Sequence, residues 1–105
     1  MINLTIGQLK ELTGTSGNSE LPFEIGKKYL FRTVTHIDVG LVKNIVGNFV
    51  VLEQASWIAN TGRYHDCLSI GVFSEVEPYP VDVYLNTASL VDAAEWIHDL
   101  PTEQQ

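Results

Sequence analysis

The sequence predicts a mainly β, single-domain protein built as a small barrel of five strongly bent strands. Three segments rich in β-branched and aromatic residues follow one another with short breaks, as in a β-meander. They are residues 28–37, 39–46 and 49–57. Gly40 lies inside the second segment, where its missing side chain permits the tight bend that a small barrel needs. Residues 81–85 alternate apolar and polar, as in a half-buried fourth strand.

The breaks between these segments carry turn residues. Gly47-Asn48 separates the second and third strands and is typical of a tight hairpin turn. An irregular insertion, with at most one helical turn, is expected over residues 60–70, and residues 77–80 form a proline-stiffened corner. Residues 89–100 have helical spacing of apolar residues but also fit a fifth strand.

The chain divides into three parts. Residues 1–20 form an N-terminal arm, in which a capping-box pattern predicts a short helix over about residues 5–12 and residues 13–20 form a flexible connector. The barrel is expected over residues 21–100. A polar tail follows at 101–105.

Size and composition exclude several classes of protein. The chain has 105 residues, and no stretch approaches the roughly 20 consecutive apolar residues that span a bilayer. We therefore expect no membrane association. The N-terminus shows no basic region followed by an apolar run, so no secretory signal is expected. The single cysteine, Cys67, cannot form an internal disulfide, which is consistent with a cytoplasmic protein.

Charge is distributed unevenly along the chain. The net charge is -7, and residues 64–105 contain eight acidic residues and no lysine or arginine. An acidic chain repels a phosphate backbone, so general affinity for duplex DNA is disfavoured. A nucleic-acid role would therefore need a local surface of basic residues. The alternative is that the clustered basic residues only keep exposed strand edges soluble. The clustered basic residues are Lys27, Lys28, Arg32 and Lys43.

No residue pattern indicates catalysis, a metal site or a cofactor. Cys67 follows His65 and Asp66, but adjacent residues of a turn or short helix do not face one another, so a base at this spacing is poorly placed. The three histidines lack paired Cys/His zinc spacing, and the carboxylates of residues 75–99 match no calcium-binding loop. His98 is interpreted as solvated surface. Trp57 and Trp96 are expected to be core or interface anchors.

Residues 40–55 resemble the first sequence motif of the Sm-like family. The segment Gly40-Leu41-Val42 matches the start of the bent second strand of that motif, and Val50-Val51-Leu52-Glu53-Gln54-Ala55 matches its third strand. Residues 85–91 give a looser match to the second motif. Residues 26–100 as a whole are similar to small Sm-like proteins of phage or prophage type.

The resemblance implies an SH3-type barrel of five strands. In the family, the fourth and fifth strands pair with neighbouring subunits and close a ring, which removes exposed strand edges. It also favours a strand over residues 90–97.

The resemblance also locates a candidate nucleic-acid site. Sm-like RNA binders hold uridine with an Asp and an Asn in the loop before the third strand and with an Arg of the second motif. Here Asn48 stands in for that Asn, Asn86 replaces the Arg, and the Asp has no counterpart. Phe49 could stack on a base, although a Phe at the start of such a strand is expected in the core. Lys43 completes the candidate site.

Two functions follow from the sequence. The first is a ring-forming, homo-oligomeric Sm-like protein that binds RNA or another nucleic acid weakly at Lys43, Asn48, Phe49 and Asn86. The second is a structural ring of a phage-type accessory protein, whose acidic half binds a protein partner. Neither is an enzyme.

Overall fold

The computed structural model describes residues 21–104 of the chain, so the helix predicted over residues 5–12 and the connector 13–20 lie outside the described residues. Within residues 21–104, six antiparallel strands form one sheet, joined by one short helix and one 3-10 turn. The elements are β1 (Lys28–Thr33), β2 (Ile37–Val46), β3 (Phe49–Asn60), α1 (Tyr64–Ile70), β4 (Glu75–Pro78), β5 (Val83–Asn86), the 3-10 turn Thr87–Ser89 and β6 (Leu90–Glu95). The mainly β prediction is confirmed, and the architecture is compatible with a small barrel.

The order of strands is β4-β3-β2-β1-β6, and β5 also pairs with β3. β4 pairs with the C-terminal half of β3, whereas β5 pairs with its N-terminal end. The predicted fourth strand, residues 81–85, corresponds to β5, whereas β4 was not predicted. Glu77 and Pro78 of the predicted corner belong to β4, and residues 79–82 connect the two strands. Within the described residues, β6 is paired on one side by β1, and neither β4 nor β5 pairs with it.

The first predicted strand, residues 28–37, is too long. β1 ends at Thr33, whose side-chain oxygen accepts hydrogen bonds from the amides of Thr35 (3.2 Å) and His36 (3.0 Å). Such a side-chain turn competes with continued strand pairing. The chain therefore reverses at residues 34–36, and Ile37 begins β2.

A β-bulge lies opposite Gly40, where the sequence predicts a bend. The β2–β3 register shifts between Val39 and Leu41, and Gln54 adopts a positive φ of 51°. A Cβ atom at Gly40 would lie 3.0 Å from Cβ of Ala55 and 3.2 Å from its Cα. The absent side chain thus lets the two strands approach closely where the bulge bends the sheet.

Two further predictions concern the ends of strands. The Gly47-Asn48 turn is confirmed, because Val46 ends β2, Phe49 begins β3, and Gly47 has a φ of 59°. A positive φ at the first central position fits a type II′ hairpin. The ambiguous C-terminal segment forms a strand, β6, although this strand ends at Glu95 rather than at residue 97.

The predicted irregular insertion contains a regular helix of seven residues, α1. Gly71 ends the helix in the left-handed conformation, with a φ of 79°, and its amide donates to the carbonyl of Cys67 at 3.0 Å. Glycine is the usual residue at this capping position. Cys67 is the buried residue of the helix, so α1 covers the sheet on that side.

Hydrophobic residues pack in two clusters, one on each face of the bent sheet. Tyr29 and Phe31 belong to one cluster while Leu30, between them, belongs to the other, as strand alternation requires. The interior cluster is Tyr29, Phe31, Val42, Val50, Leu52, Ala55 and Leu85. The opposite cluster, under α1, is Leu30, Val39, Ile58, Cys67, Phe73, Val76 and Trp96.

Among residues 21–104, helices long and apolar enough to cross a bilayer are absent.

Trp96 is 1% exposed and stacks on Phe73 with ring centroids 4.9 Å apart. His98 is not the solvated residue that the sequence suggested. Its ring packs edge-on against Trp96, and its Nε2 lies 2.8 Å from the carbonyl oxygen of Leu68.

Candidate functional site

Two of the four predicted site residues, Lys43 and Phe49, line one groove of about 350 Å³. We call it the aromatic groove. It lies where β2, β3 and β5 meet. Its lining residues are Lys43, Asn44, Val46, Phe49, Val51, Asp82 and Tyr84.

Phe49 does not belong to the core, contrary to the sequence-based expectation. Its side chain is 43% exposed, because the alternate residues Val50 and Leu52 take the interior positions of β3. Tyr84 of β5 is opposite Val51 in the register and is 71% exposed. Two exposed aromatic rings therefore lie in the same groove, a feature that sequence reasoning missed for Tyr84.

Lys43 is already paired. Its Nζ lies 2.8 Å from Oδ2 of Asp82, and this hydrogen bond raises the pKa of Lys43. Both side chains are exposed, so the pair stabilises the fold little. The positive charge at this position is nevertheless balanced within the groove.

Asn48 and Asn86 lie beside Phe49 and make structural hydrogen bonds. Asn86 is opposite Phe49 in the register, and its Oδ1 accepts from the amide of Ala88 at 2.9 Å, which caps the 3-10 turn. The carbonyl oxygen of Asn48 accepts from the amide (2.9 Å) and the hydroxyl (2.8 Å) of Thr87. Phe49 and Asn86 are therefore side by side, with the Asn86 oxygen already in use, but neither asparagine lines the aromatic groove.

The other clustered basic residues are also engaged. Lys27 lies 3.8 Å from Glu24 and 3.9 Å from Glu95, at the outer limit of an ion pair. Lys28 donates to the carbonyl of His98. The guanidinium of Arg32 has two hydrogen bonds with Asp92, one of them at 2.7 Å, and lies 4.4 Å above the centre of the Tyr64 ring.

A chain of side-chain hydrogen bonds joins the β1–β2 turn to the corner at residues 78–80. The Tyr79 hydroxyl donates to Oδ1 of Asp38 at 2.8 Å, and Nε2 of His36 lies 3.0 Å from Oδ2. When the Asp38 carboxylate is ionised it only accepts, so Nε2 of a neutral His36 is then the donor, and Nδ1 accepts from the Thr35 hydroxyl at 2.7 Å. Asp38 is 1% exposed, and burial raises its pKa. We call this arrangement the Asp38 hydrogen-bond chain.

A hydroxyl, an imidazole and a carboxylate in this order also occur in hydrolase triads, which need free backbone amides to stabilise an oxyanion. Here the amide of Val34 donates to the carbonyl of Ser89 at 3.1 Å. The amides of Thr35 and His36 donate to the side chain of Thr33. With these amides in use, the Asp38 hydrogen-bond chain is better explained as a tie between the turn and the corner.

Cys67 is buried, and desolvation raises the pKa of its thiol. Its side chain packs against the sheet, while His65 is largely exposed. Across residues 21–104, no group of three or more His, Cys, Asp or Glu side chains is close enough to hold a metal ion.

Comparisons with protein-family models, with curated proteins and with solved structures give no match.

Proposed function

We propose that the protein is the subunit of a homo-oligomeric ring with an Sm-like, SH3-type barrel. Three features of the fold support this proposal. The strands follow a meander, the last strand returns to lie beside the first, and a 3-10 turn precedes that last strand. β4 and β5 together correspond to the bent fourth strand that the resemblance implies, since both pair with β3.

The observation that carries the ring proposal is the pair of unpaired sheet edges. Within the described residues, β5 and β6 each have a strand partner on one side. The β6 edge carries an exposed apolar side chain, Val91, which is 63% exposed. Pairing β5 of one subunit with β6 of the next would satisfy both edges and cover this surface.

The aromatic groove supports weak binding of single-stranded RNA. Phe49 and Tyr84 offer exposed ring faces, and stacking of a base on an aromatic contributes about 1–3 kcal/mol. Lys43 is the basic residue of the groove, and its charge is balanced by Asp82. We therefore propose binding dominated by stacking, with a shallow dependence on salt.

A second candidate function is a scaffold ring that binds a protein. The observation that favours it is the engagement of Lys27, Lys28, Arg32 and Lys43 with carboxylates or carbonyls of the same chain. Together with the net charge of -7, this leaves little attraction for a phosphate backbone.

Fluorescence anisotropy with a short labelled single-stranded RNA distinguishes the two functions. We expect saturable binding at low salt that weakens about 5- to 150-fold in Phe49→Ala, the range equivalent to loss of one stacked base. The matched control is Ile97→Ala, which removes a still more exposed apolar side chain outside the groove and should bind as the wild type does.

The native mass of each variant is measured in parallel, because Tyr84 and its neighbours lie near the proposed subunit contact. Binding that is unchanged in Phe49→Ala would overturn the RNA site. Absence of binding at low salt by an intact oligomer would overturn the RNA function and favour the scaffold.

A further inference from the structure

A second cleft, of about 460 Å³, lies between the β1–β2 turn and the corner at residues 78–80. We call it the Trp57 cleft. It shares no lining residue with the aromatic groove. Its lining residues are His36, Trp57, Glu77, Pro78, Tyr79 and Pro80.

Hydrogen bonds to the buried Asp38 hold the walls of the Trp57 cleft in place. The Asp38 hydrogen-bond chain fixes His36 on one side and Tyr79 on the other. The amide of Tyr79 also donates to the carbonyl of Ala55 at 2.9 Å. Prolines on both sides of Tyr79 restrict the backbone further. A site with fixed walls loses little conformational entropy when a ligand binds.

Trp57 and Glu77 are directly opposite each other in the β3–β4 register, so their side chains project from the same face of the sheet. Trp57 is 38% exposed, which is unusual for the largest apolar side chain in an otherwise well-packed sheet. Among the described residues, no lysine, arginine or histidine nitrogen lies within 4 Å of the Glu77 carboxylate. An aromatic ring and a carboxylate thus face solvent side by side.

The electrostatics of the cleft favour a cation. Glu77 contributes an exposed negative charge, and the buried Asp38 carboxylate lies beneath His36 and Tyr79. His36 is the one basic group of the lining, and its Nε2 already donates to Asp38. Phosphate groups would be repelled, which makes the cleft unsuitable for RNA.

Elsewhere in the protein, an aromatic ring and a carboxylate together bind an arginine. Arg32 lies over the ring of Tyr64 while its guanidinium hydrogen-bonds to Asp92. Trp57 and Glu77 repeat this combination of an aromatic ring with a carboxylate, without an arginine between them. A guanidinium suits both partners, because it is planar, stacks on aromatic faces and pairs with carboxylates through two hydrogen bonds.

We propose that the Trp57 cleft is a receptor for an arginine side chain presented by an exposed segment of a protein partner. The arginine stacks on Trp57 and pairs with Glu77, while Pro78 and Pro80 contact its aliphatic part. This site is independent of ring formation and of RNA binding, since it uses neither the aromatic groove nor the β5 and β6 edges.

The chain provides its own probe for this interaction, because it has two tryptophans and only Trp57 is exposed. The full-length protein labelled with 5-fluorotryptophan gives one fluorine resonance for each. We titrate it with a blocked five-residue peptide that has a central arginine flanked by serine and glycine. The expected result is a saturable shift of the Trp57 resonance with no shift of Trp96.

Two peptides and two variants make the test specific. The matched peptide with citrulline, a neutral analogue of arginine, should bind more weakly. Glu77→Gln should weaken binding of the arginine peptide about two- to fivefold, as expected for loss of an exposed ion pair. Glu75→Gln removes a carboxylate of the same strand that is outside the lining, and it should bind as the wild type does.

The proposal is overturned if the Trp57 resonance does not shift with the arginine peptide. It is also overturned if the arginine and citrulline peptides bind equally, or if Glu75→Gln weakens binding as much as Glu77→Gln. A Trp57 shift that depends on protein concentration without peptide would assign the cleft to a second copy of the chain instead. None of these results depends on whether the ring forms or binds RNA.

Discussion

Asp38 is the buried ionisable carboxyl group among the described residues. A carboxylate that is 1% exposed loses its hydration, and hydrogen bonds from Tyr79 and His36 replace only part of it. Desolvation is the largest influence on this group, so the pKa of Asp38 is raised above its usual value of 3.8. The residue joins the β1–β2 turn to the proline-containing corner and thereby shapes the Trp57 cleft.

The raised pKa predicts a stability that falls with increasing pH. Between 3.8 and the pKa in the folded state, the folded protein binds more protons than the unfolded chain does. The stabilisation associated with Asp38 is therefore complete below 3.8 and is lost as the pH rises through the folded-state value. In urea unfolding at constant protein concentration, the free energy of unfolding of the wild type should fall relative to that of Asp38→Asn over this range.

Asp92 provides a control, because its pKa is shifted in the opposite direction to that of Asp38. Its hydrogen bonds with Arg32 lower the pKa of Asp92, so its contribution is present above 3.8 and is lost as the pH falls. The free energy of unfolding of the wild type relative to Asp92→Asn should therefore rise with pH. A rise with pH relative to Asp38→Asn as well would contradict the role assigned to Asp38.

At the scale of elements, α1 depends on the residue that ends it. Gly71 has a φ of 79°, and a Cβ atom there would lie 2.5 Å from Cγ of His98. His98 in turn packs on Trp96 and approaches the carbonyl of Leu68. The end of the helix, the segment after β6 and the cluster on that face of the sheet therefore pack as one unit.

Gly71→Ala should destabilise the protein more than Gly26→Ala does. Gly26 has a φ of 93°, but a Cβ atom added there would meet no other atom within 4 Å, so alanine costs only the left-handed backbone, about 1–2 kcal/mol. Alanine at position 71 adds displacement of the His98 ring. Urea unfolding of both variants measures the difference, and equal losses would show that His98 moves aside freely.

The sequence predicts β2, β3 and the turn between them because their apolar runs are long and end at Gly47-Asn48. It overextends the first strand, because the Thr33 side-chain turn uses the same β-favouring residues as a strand. It misses β4, a strand of four residues that ends in a proline and has a single buried residue, Val76. Short strands of this kind form because β3 provides a partner, which no local pattern indicates.

The candidate sites, like the strands, could be predicted only in part from the sequence. Phe49 and Asn86 lie opposite each other in the β3–β5 register, but the exposure of Phe49 depends on which face of β3 is buried. The Trp57 cleft combines residues 36, 57 and 77–80, which only strand register brings together. Tyr84 and Asp82 enter the aromatic groove for the same reason.

At the scale of the whole molecule, the sheet leaves two edges for another chain. Val91 lies at a register shift of β6, where pairing with β1 is interrupted, and its side chain faces solvent. A lysine on an exposed edge opposes strand pairing between chains. Val91→Lys should therefore reduce the native mass, whereas Ile97→Lys, outside the strands, should leave it unchanged.

The native mass of the full-length wild-type chain, measured by light scattering on a sizing column, tests the ring most directly. The subunit mass is 11.7 kDa. We predict one closed species of several subunits whose mass does not change on dilution, because every β5 and β6 edge is paired in a ring. A monomer at all concentrations would contradict the ring and remove the main reason for the Sm-like interpretation.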